Sequence, residues 1–397
     1  MHTRREWIKT VFMGACVRAF GAAAIPVESY LQRVQKLVAQ HRRHVDRLKA
    51  PAELVAEALF AGHAFYLGGS DAGWIREGTG RSGGVMNVGQ LSPTTNTGPG
   101  DVVWLSYAAR TYEAQWQAAA DLERKKCLVM AFGPRPASGV PGFQHWIDSL
   151  TPWNADQNFT LLGNVLSLWT LAGELAAASA RRGKTIVFYQ SGNLPKLRPG
   201  LPDRNALYRG RTFHQSGEPH MEPMQPGVAA RSYLDYIGKM LHDIQAYELG
   251  KIVSVGKEIG RRSASRPALL MVNSHMMHDE LWGEGKWVNE YKGDIKQLDT
   301  TLGPDGYLVW LGYFNGVPPE LWEAVRRAKA RAAWMVVPLP GQILDFEQYG
   351  DVFINQQWEP GDAAIVMPSY DVRILPPSGV AQLFIHDVML RAAGAQP

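Results

Sequence analysis

The order of predicted strands and helices in residues 27–190 returns about two hundred residues later, and this repetition constrains the fold more than any other feature of the sequence. Short apolar runs that end at Gly or Ser predict strands buried in a parallel sheet, and apolar residues spaced three and four apart predict amphipathic helices. The offsets between corresponding landmarks are nearly constant: 203 residues from Tyr30 to Tyr233, 204 from Ser70 to Ser274, 206 from Leu105 to Leu311 and 207 from Glu113 to Glu320. We interpret the chain as a tandem duplication.

The predicted elements of each half alternate between strand and helix, which is typical of an α/β fold with a doubly wound parallel sheet and helices on both faces. At 397 residues, the chain is also long enough for two domains. We therefore predict two such domains in tandem, residues 26–195 and 229–397, joined by a linker at 196–228. The predicted strands are 64–67, 102–105, 128–132, 185–189, 268–272, 307–311 and 334–337, and the main predicted helices are 27–48, 51–61, 112–125, 161–180 and 320–331.

Residues 1–25 have the composition of an export signal. Arg4 and Arg5 precede Trp7, Ile8 and Lys9, and small residues near position 24 suit a signal peptidase. The paired arginines resemble the twin-arginine signal, which implies a periplasmic or exported protein. An amphipathic N-terminal helix of a cytoplasmic protein is the alternative interpretation.

Charge and cysteine content exclude several classes of protein. The formal net charge is +4, of which +3 lies in residues 1–24, so the rest of the chain has no excess of charge to favour nucleic acid. The two cysteines, Cys16 and Cys127, are too few for a disulfide framework or a cysteine-based zinc site. We predict no cofactor, no metal ion and, after export, no association with a membrane.

Two turns of the first half are candidates for ligand binding, because open parallel sheets bind ligands beyond the carboxyl ends of their strands. The first turn contains Gly69 and Ser70, and the second runs from Ser106 through Arg110 to Thr111. Hydroxyls, an arginine and the N–H groups of a helix start together favour an anion. The same hydroxyls could instead cap the helix.

The first half contains an ordered series of motifs: Phe65–Ser70, Glu77, Arg81-Ser82-Gly83-Gly84, Gly100-Asp101, Ser106, Arg110-Thr111 and Glu113. In this order and at this spacing they resemble the SIS (sugar isomerase) family of phosphosugar-binding domains. The resemblance covers most of residues 28–190 and, more weakly, 230–393. It implies a phosphosugar ligand held by the two turns and leaves a homodimer open. Ala108 and Ala109 depart from the family, which usually has Ser-Gly there.

The second half contains a further motif at residues 273–280, which is similar to the first loop of one SIS branch. Ser274, His275 and His278 are therefore predicted to contact substrate. A carboxylate and an imidazole near C1 and C2 of a sugar could interconvert aldose and ketose. We assign Glu280 as the base, Glu77 as its counterpart in the first half and His386 as a proton partner. The alternatives are that His275 and His278 cap a helix, that Glu280 forms an ion pair with a base such as Lys286, and that His386 occupies the core.

The sequence is compatible with two functions of different classes. The first is binding of a phosphosugar or related carbohydrate derivative, with aldose–ketose isomerisation as its catalytic form. The second is a non-catalytic, exported sensor or binding protein for a sugar derivative, which the altered turn at Ala108 favours. A two-lobed solute-binding protein is a third class, but the tandem repeat without crossing segments argues against it.

Overall fold

The structure is a computed structural model that describes residues 26–136, 141–192, 204–208, 220–262, 268–272, 288–291, 293–312, 317–338 and 350–394. Its helices are α1 (Val27–Arg43), α2 (Lys49–Phe60), α3 (Ala72–Gly78), α4 (Tyr112–Arg124), α5 (Gln157–Arg181), α6 (Arg204–Tyr208), α7 (Val228–Tyr247), α8 (Leu249–Gly260), α9 (Leu298–Leu302), α10 (Pro319–Arg327) and α11 (Ser378–Ala392). Its strands are β1 (Phe65–Gly69), β2 (Gly89–Gln90), β3 (Val102–Ser106), β4 (Leu128–Gly133), β5 (Trp146–Asp148), β6 (Ala268–Val272), β7 (Val288–Glu290), β8 (Tyr307–Leu311), β9 (Arg331–Val336) and β10 (Val352–Asn355).

The strands form two parallel sheets with one topology. The first has the order β2-β1-β3-β4-β5, and the second has the order β7-β6-β8-β9-β10. Each strand of the first sheet therefore has a counterpart at the same place in the second. The predicted fold class, two parallel α/β sheets in tandem, is confirmed.

Each sheet is covered by helices on both faces. Successive residues of a strand point to opposite faces, so each strand contributes side chains to the packing on both sides. In β3, Val102 and Trp104 belong to the core that contains α5, whereas Val103 and Leu105 pack with Leu122 of α4. The strands of the second sheet divide in the same way between the central core and a separate cluster with α9 and α10. This three-layer arrangement explains why the strands read as continuous apolar runs.

A single hydrophobic core lies between the two sheets and includes α1, α5, α7 and α11. Every residue of α5 from Asn158 to Ala180 is buried, so this helix is covered on all sides by protein. Within the described residues, α5 also has the length and composition of a membrane span. Its complete burial inside the fold accounts for that composition.

The prediction of a strand at 185–189 was wrong. Phe188 is buried and extended, but it forms an isolated antiparallel bridge with Val85, and the N–H of Met86 donates to the carbonyl of Val187 at 2.8 Å. The segment therefore pairs with residues 83–86 and leaves the edge of the sheet to β5. The strand β5 has three residues, too few for a sequence pattern to reveal it.

The domain bounds stay a prediction, and one observation bears on the linker. Helix α6 lies within the predicted linker 196–228. The side-chain amide of Asn205 accepts from the N–H of Gln190 at 2.9 Å and donates to its carbonyl at 2.7 Å. This part of the linker is therefore attached to the end of the first half.

Candidate functional site

The two turns predicted to hold a ligand meet at the carboxyl end of the first sheet. Strands β1 and β3 are neighbours, with Gly69 paired to Ser106. The hydroxyls of Ser70 and Thr111 are 2.8 Å apart, and the N–H of Ser70 donates to the carbonyl of Ser106 at 3.2 Å. The structure therefore brings together Gly69, Ser70, Ser106 and Thr111, as the sequence pattern predicted, while their roles in binding stay predictions.

Gly69 allows this close approach of the two strands. Its φ is +128°, a conformation that side chains disfavour, and a Cβ there would lie 2.4 to 2.6 Å from the carbonyl, amide and hydroxyl of Ser106. Ser106 is fully buried beneath it. Within the described part of the chain, the Oγ of Ser106 has no hydrogen-bond partner. Buried polar groups are rarely left in this state.

Thr111 has a local role in the turn as well. Its Oγ1 accepts from the N–H of Ala108 at 3.0 Å and lies 3.2 Å from the carbonyl of the same residue. The capping interpretation of this hydroxyl therefore has a structural basis beside the contact with Ser70. Arg110 is exposed on the same turn and lines the cleft between the two loops.

Helix α5 supplies the third wall of the cleft, which the sequence analysis did not predict. The side-chain amide of Asn164 donates to the carbonyl of Tyr107 at 3.1 Å, which directs its Oδ1 away from that carbonyl. This Oδ1 is buried and has no hydrogen-bond partner among the described residues. Gln157 and Thr160 line the cleft beside it. The sequence feature that could have indicated this wall is the group of polar residues at the start of a helix that is otherwise apolar.

Tyr107 fixes the position of this wall. Its hydroxyl donates to the carbonyl of Pro134 at 2.8 Å, and its ring packs edge-on against Tyr112. Burial raises the pKa of Tyr107, so the phenol remains a neutral donor. The carbonyl that orients Asn164 is therefore held by a rigid aromatic residue.

The cleft is narrow as it stands. The side chains around it leave about 10 Å³, which is the space that one water molecule needs. The hydrogen bond between Ser70 and Thr111 spans it. A ligand larger than water can enter only if this bond breaks and the two loops separate.

Glu77, predicted as a catalytic counterpart, lies in a buried network that joins the two halves. It is fully buried, forms an ion pair with Arg81 and accepts from Nε1 of Trp169 at 3.0 Å. Arg81 in turn lies 3.0 Å from a carboxylate oxygen of Asp362. The Oγ of Ser378 donates to that same oxygen at 3.0 Å. To act as a base, Glu77 would have to give up its pairing with Arg81.

His386, the predicted proton partner, lies in the interior on α11. It is 1% exposed, and its Nδ1 is 3.7 Å from Oδ1 of Asp387. Asp387 also accepts from the side chain of Asn158 at 2.6 Å. These groups form a second buried polar network, between α11 and the start of α5.

The remaining predicted residues, Ser274, His275, His278 and Glu280, lie outside the described residues. Their roles in substrate contact and catalysis stay predictions. Within the ranges that the structure describes, no group of three or more His, Cys, Asp or Glu side chains is arranged to hold a metal ion.

The sequence matches no family model and no curated protein. Among solved structures, the chain is similar to a proposed phosphosugar isomerase from Clostridium difficile 630, with a TM-score of 0.51 and 10% identity over 93% of this chain and 92% of that one. The chain has the fold of that protein. A proposed phosphosugar isomerase from Silicibacter pomeroyi DSS-3 gives a TM-score of 0.49 and 11% identity over 93% and 97% of the two chains. The C-terminal domain of glucosamine-fructose-6-phosphate aminotransferase from Francisella tularensis gives 0.49 and 8% identity over 91% and 95%.

Proposed function

We propose that this protein binds a phosphosugar or a related carbohydrate derivative in the cleft between the turn at Ser70 and the turn at Ser106–Thr111. One observation carries the proposal. Two polar atoms are buried without a hydrogen-bond partner in the described part of the chain: Oδ1 of Asn164, which lines the cleft, and Oγ of Ser106, which lies beneath Gly69 at the base of the two turns. Since an unsatisfied buried polar group costs about 1–3 kcal/mol, a ligand that bonds to both would recover that energy.

The chemistry of the cleft matches a carbohydrate that also has an anionic group. Oδ1 of Asn164 is an acceptor and therefore needs a donor, which a sugar hydroxyl supplies. The hydroxyls of Ser70 and Thr111 and the guanidinium of Arg110 are donors that suit phosphate or carboxylate oxygens. The N–H groups at the helix start add to the attraction of an anion. The similarity to a proposed phosphosugar isomerase supports the same class of ligand.

Binding without catalysis is the form of the proposal that the described residues favour. Both oxygens of Glu77 are engaged, one by Arg81 and the other by Trp169, and His386 is enclosed in the core. Asp71 is the carboxylate among the described residues that line the cleft, and its Oδ1 accepts from the N–H of Trp74 at 3.0 Å as the cap of α3. Aldose–ketose isomerisation is the second candidate function, and in that case Glu280 is the residue we expect to act as the base.

A binding screen tests the proposal directly. A hexose, a pentose and an amino sugar, each with and without a phosphate group, are titrated against the protein by calorimetry. We expect a phosphorylated or acidic member of the set to bind, and we expect Ser70→Ala with Thr111→Ala to weaken that binding at least tenfold. Absence of binding by every compound would contradict the proposal.

The loop after β2 offers a matched control for the double variant. The hydroxyls of Ser92 and Thr95 are 3.0 Å apart and exposed, so they form a similar Ser–Thr pair away from the cleft. Ser92→Ala with Thr95→Ala should leave the affinity unchanged.

The same ligand is then assayed for isomerisation with the wild type and with Glu280→Gln. Turnover that Glu280→Gln abolishes would establish the catalytic form, and absence of turnover would leave binding alone.

Export through the twin-arginine route is a separate proposal that depends on residues 1–25. Arg4→Lys with Arg5→Lys should prevent export, because the route depends on the paired arginines. Cell fractionation followed by N-terminal sequencing would show whether the mature chain begins near residue 25. A full-length protein found only in the cytoplasm would contradict the proposal.

A further inference from the structure

A second and larger cleft lies at the same end of the first sheet. Its volume is about 850 Å³, within the range of small-molecule sites. It is bordered by α1, by the segment after β4, by the end of β5 and by Phe159 in the first turn of α5. The start of α5 therefore separates it from the cleft at Ser70, and no residue lines both.

Cations are concentrated on the walls of this larger cleft. Arg33, Lys36, Arg47 and Arg135 line it, and among the described residues lining it Asp148 is the only carboxylate. The chain outside residues 1–24 has a net charge of about +1, so this arrangement is a local excess. A concave surface lined by charges of one sign focuses the field on an oppositely charged ligand.

The nearby carboxylates leave part of this charge uncompensated. Asp148 lies 3.7 Å from Arg47, and Asp156, outside the lining, lies 4.0 Å from Arg33. Lys36 and Arg135 have no carboxylate within 4.0 Å in the part of the chain that the structure describes, although Arg135 lies over the ring of Trp146 at 5.1 Å. Two cations are therefore available to a ligand.

The protein holds these cations close together despite their repulsion. Burial lowers the pKa of Arg47, and the neighbouring charge of Arg135 lowers it further, against the opposing effect of Asp148. The backbone carbonyl of Asp148 accepts from Arg47 at 2.5 Å, which fixes the guanidinium in the wall. A bound anion would relieve the repulsion between Arg47 and Arg135.

The lining is not entirely polar. Leu37, Leu150 and Phe159 contribute apolar surface between the cations. An inorganic ion cannot pack against such apolar surface. An organic molecule with separated anionic groups can pack against it while its anionic groups contact the cations. The combination favours a small organic molecule over a simple ion.

We propose that this cleft is a second binding site, distinct from the turn at Ser70, for a small organic molecule that carries at least two phosphoryl or carboxylate groups. Its guanidinium groups suit bidentate contact with such oxygens. The proposal does not depend on carbohydrate binding at the other cleft. Each site is tested by variants that leave the other intact.

The test is calorimetric titration of the full chain at low and moderate salt with five probes: a hexose bisphosphate, a nucleoside diphosphate, citrate, inorganic diphosphate and inorganic phosphate. We expect at least one organic polyanion to bind more tightly than inorganic phosphate, with an affinity that falls as salt rises. Lys36→Ala with Arg135→Ala should weaken this binding at least tenfold. The comparison of citrate with the phosphorylated compounds distinguishes carboxylate from phosphoryl ligands.

Two matched variants separate the cleft from net charge and from the other site. Lys257→Ala with Lys296→Ala also removes two exposed positive charges, but in the second half, and should not change the affinity. Ser70→Ala with Thr111→Ala should likewise leave intact the component of polyanion binding that Lys36→Ala with Arg135→Ala removes. The proposal is overturned if no organic polyanion binds, if the Lys36 and Arg135 variant binds as well as the wild type, or if the lysine control weakens binding equally.

Discussion

Substitution of the buried cation Arg81 should lower the stability of the protein more than substitution of an exposed charged residue does. Arg81 is 1% exposed and lies between two buried carboxylates, Glu77 from the first half and Asp362 from the second. Arg81→Met fills a similar volume but leaves both carboxylates without their cation. Breaking a buried ion pair in this way costs about 3–5 kcal/mol, because the remaining charge has lost its solvent and its partner.

That loss is large beside the free energy of unfolding of a typical domain, about 5–15 kcal/mol. Urea denaturation followed by circular dichroism measures it. Arg124→Met is the matched control, because Arg124 pairs with Asp121 at the surface, where both side chains are more than half exposed. We expect the control to unfold at the wild-type urea concentration. A midpoint for Arg81→Met that equals that of the wild type would refute the view that this network holds the two halves together.

Two further predictions concern groups near the core. Gly379→Ala should cost about 2–3 kcal/mol of stability, since a Cβ there would lie 2.2 Å from Oε1 of Glu77. Gly250→Ala, also at the second position of a helix but with open space around it, should be neutral or slightly stabilising in the same urea titration. Burial, aided by a nearby arginine, lowers the pKa of His41 to about 3. The folded state therefore keeps this ring neutral while the unfolded chain takes up a proton, and stability should fall by up to ~1.4 kcal/mol per pH unit from about pH 6.5 towards pH 3. His41→Gln should flatten this dependence, and an unchanged slope in His41→Gln would contradict the assignment.

Much of the fold was predictable because parallel strands and their covering helices leave strong periodic signals. The runs at 102–105 and 307–311 are apolar on both faces, and they are followed by Ser106 and Gly312. The positions of these strands and their repetition were therefore visible in the sequence. Strands of two or three residues, such as β2 and β5, have no such signal. Their pairing is decided by neighbours distant in the chain.

The candidate site was predictable only in part, for a similar reason. The meeting of Ser70 with Thr111 follows from the rule that neighbouring parallel strands end at one edge. The contribution of Asn164 depends on how α5 packs over that edge, which periodicity does not specify. The buried network of Glu77, Arg81 and Asp362 could not be predicted from a local motif. It depends on a contact between Arg81 and Asp362, which are 281 residues apart in the chain.

The most direct test of ligand binding at the turn is the paired measurement of stability and affinity in Ser106→Ala. If the hydroxyl of Ser106 is kept for a ligand, its removal should leave the unliganded protein as stable as the wild type or more so, because no hydrogen bond is lost. The substitution should also lower the affinity for the carbohydrate ligand at least tenfold. Ser179→Ala removes a buried hydroxyl that does have a partner, the carbonyl of Leu175 at 2.7 Å, and should lower stability without changing affinity. A Ser106→Ala protein that loses stability and binds the ligand like the wild type would contradict the proposed function.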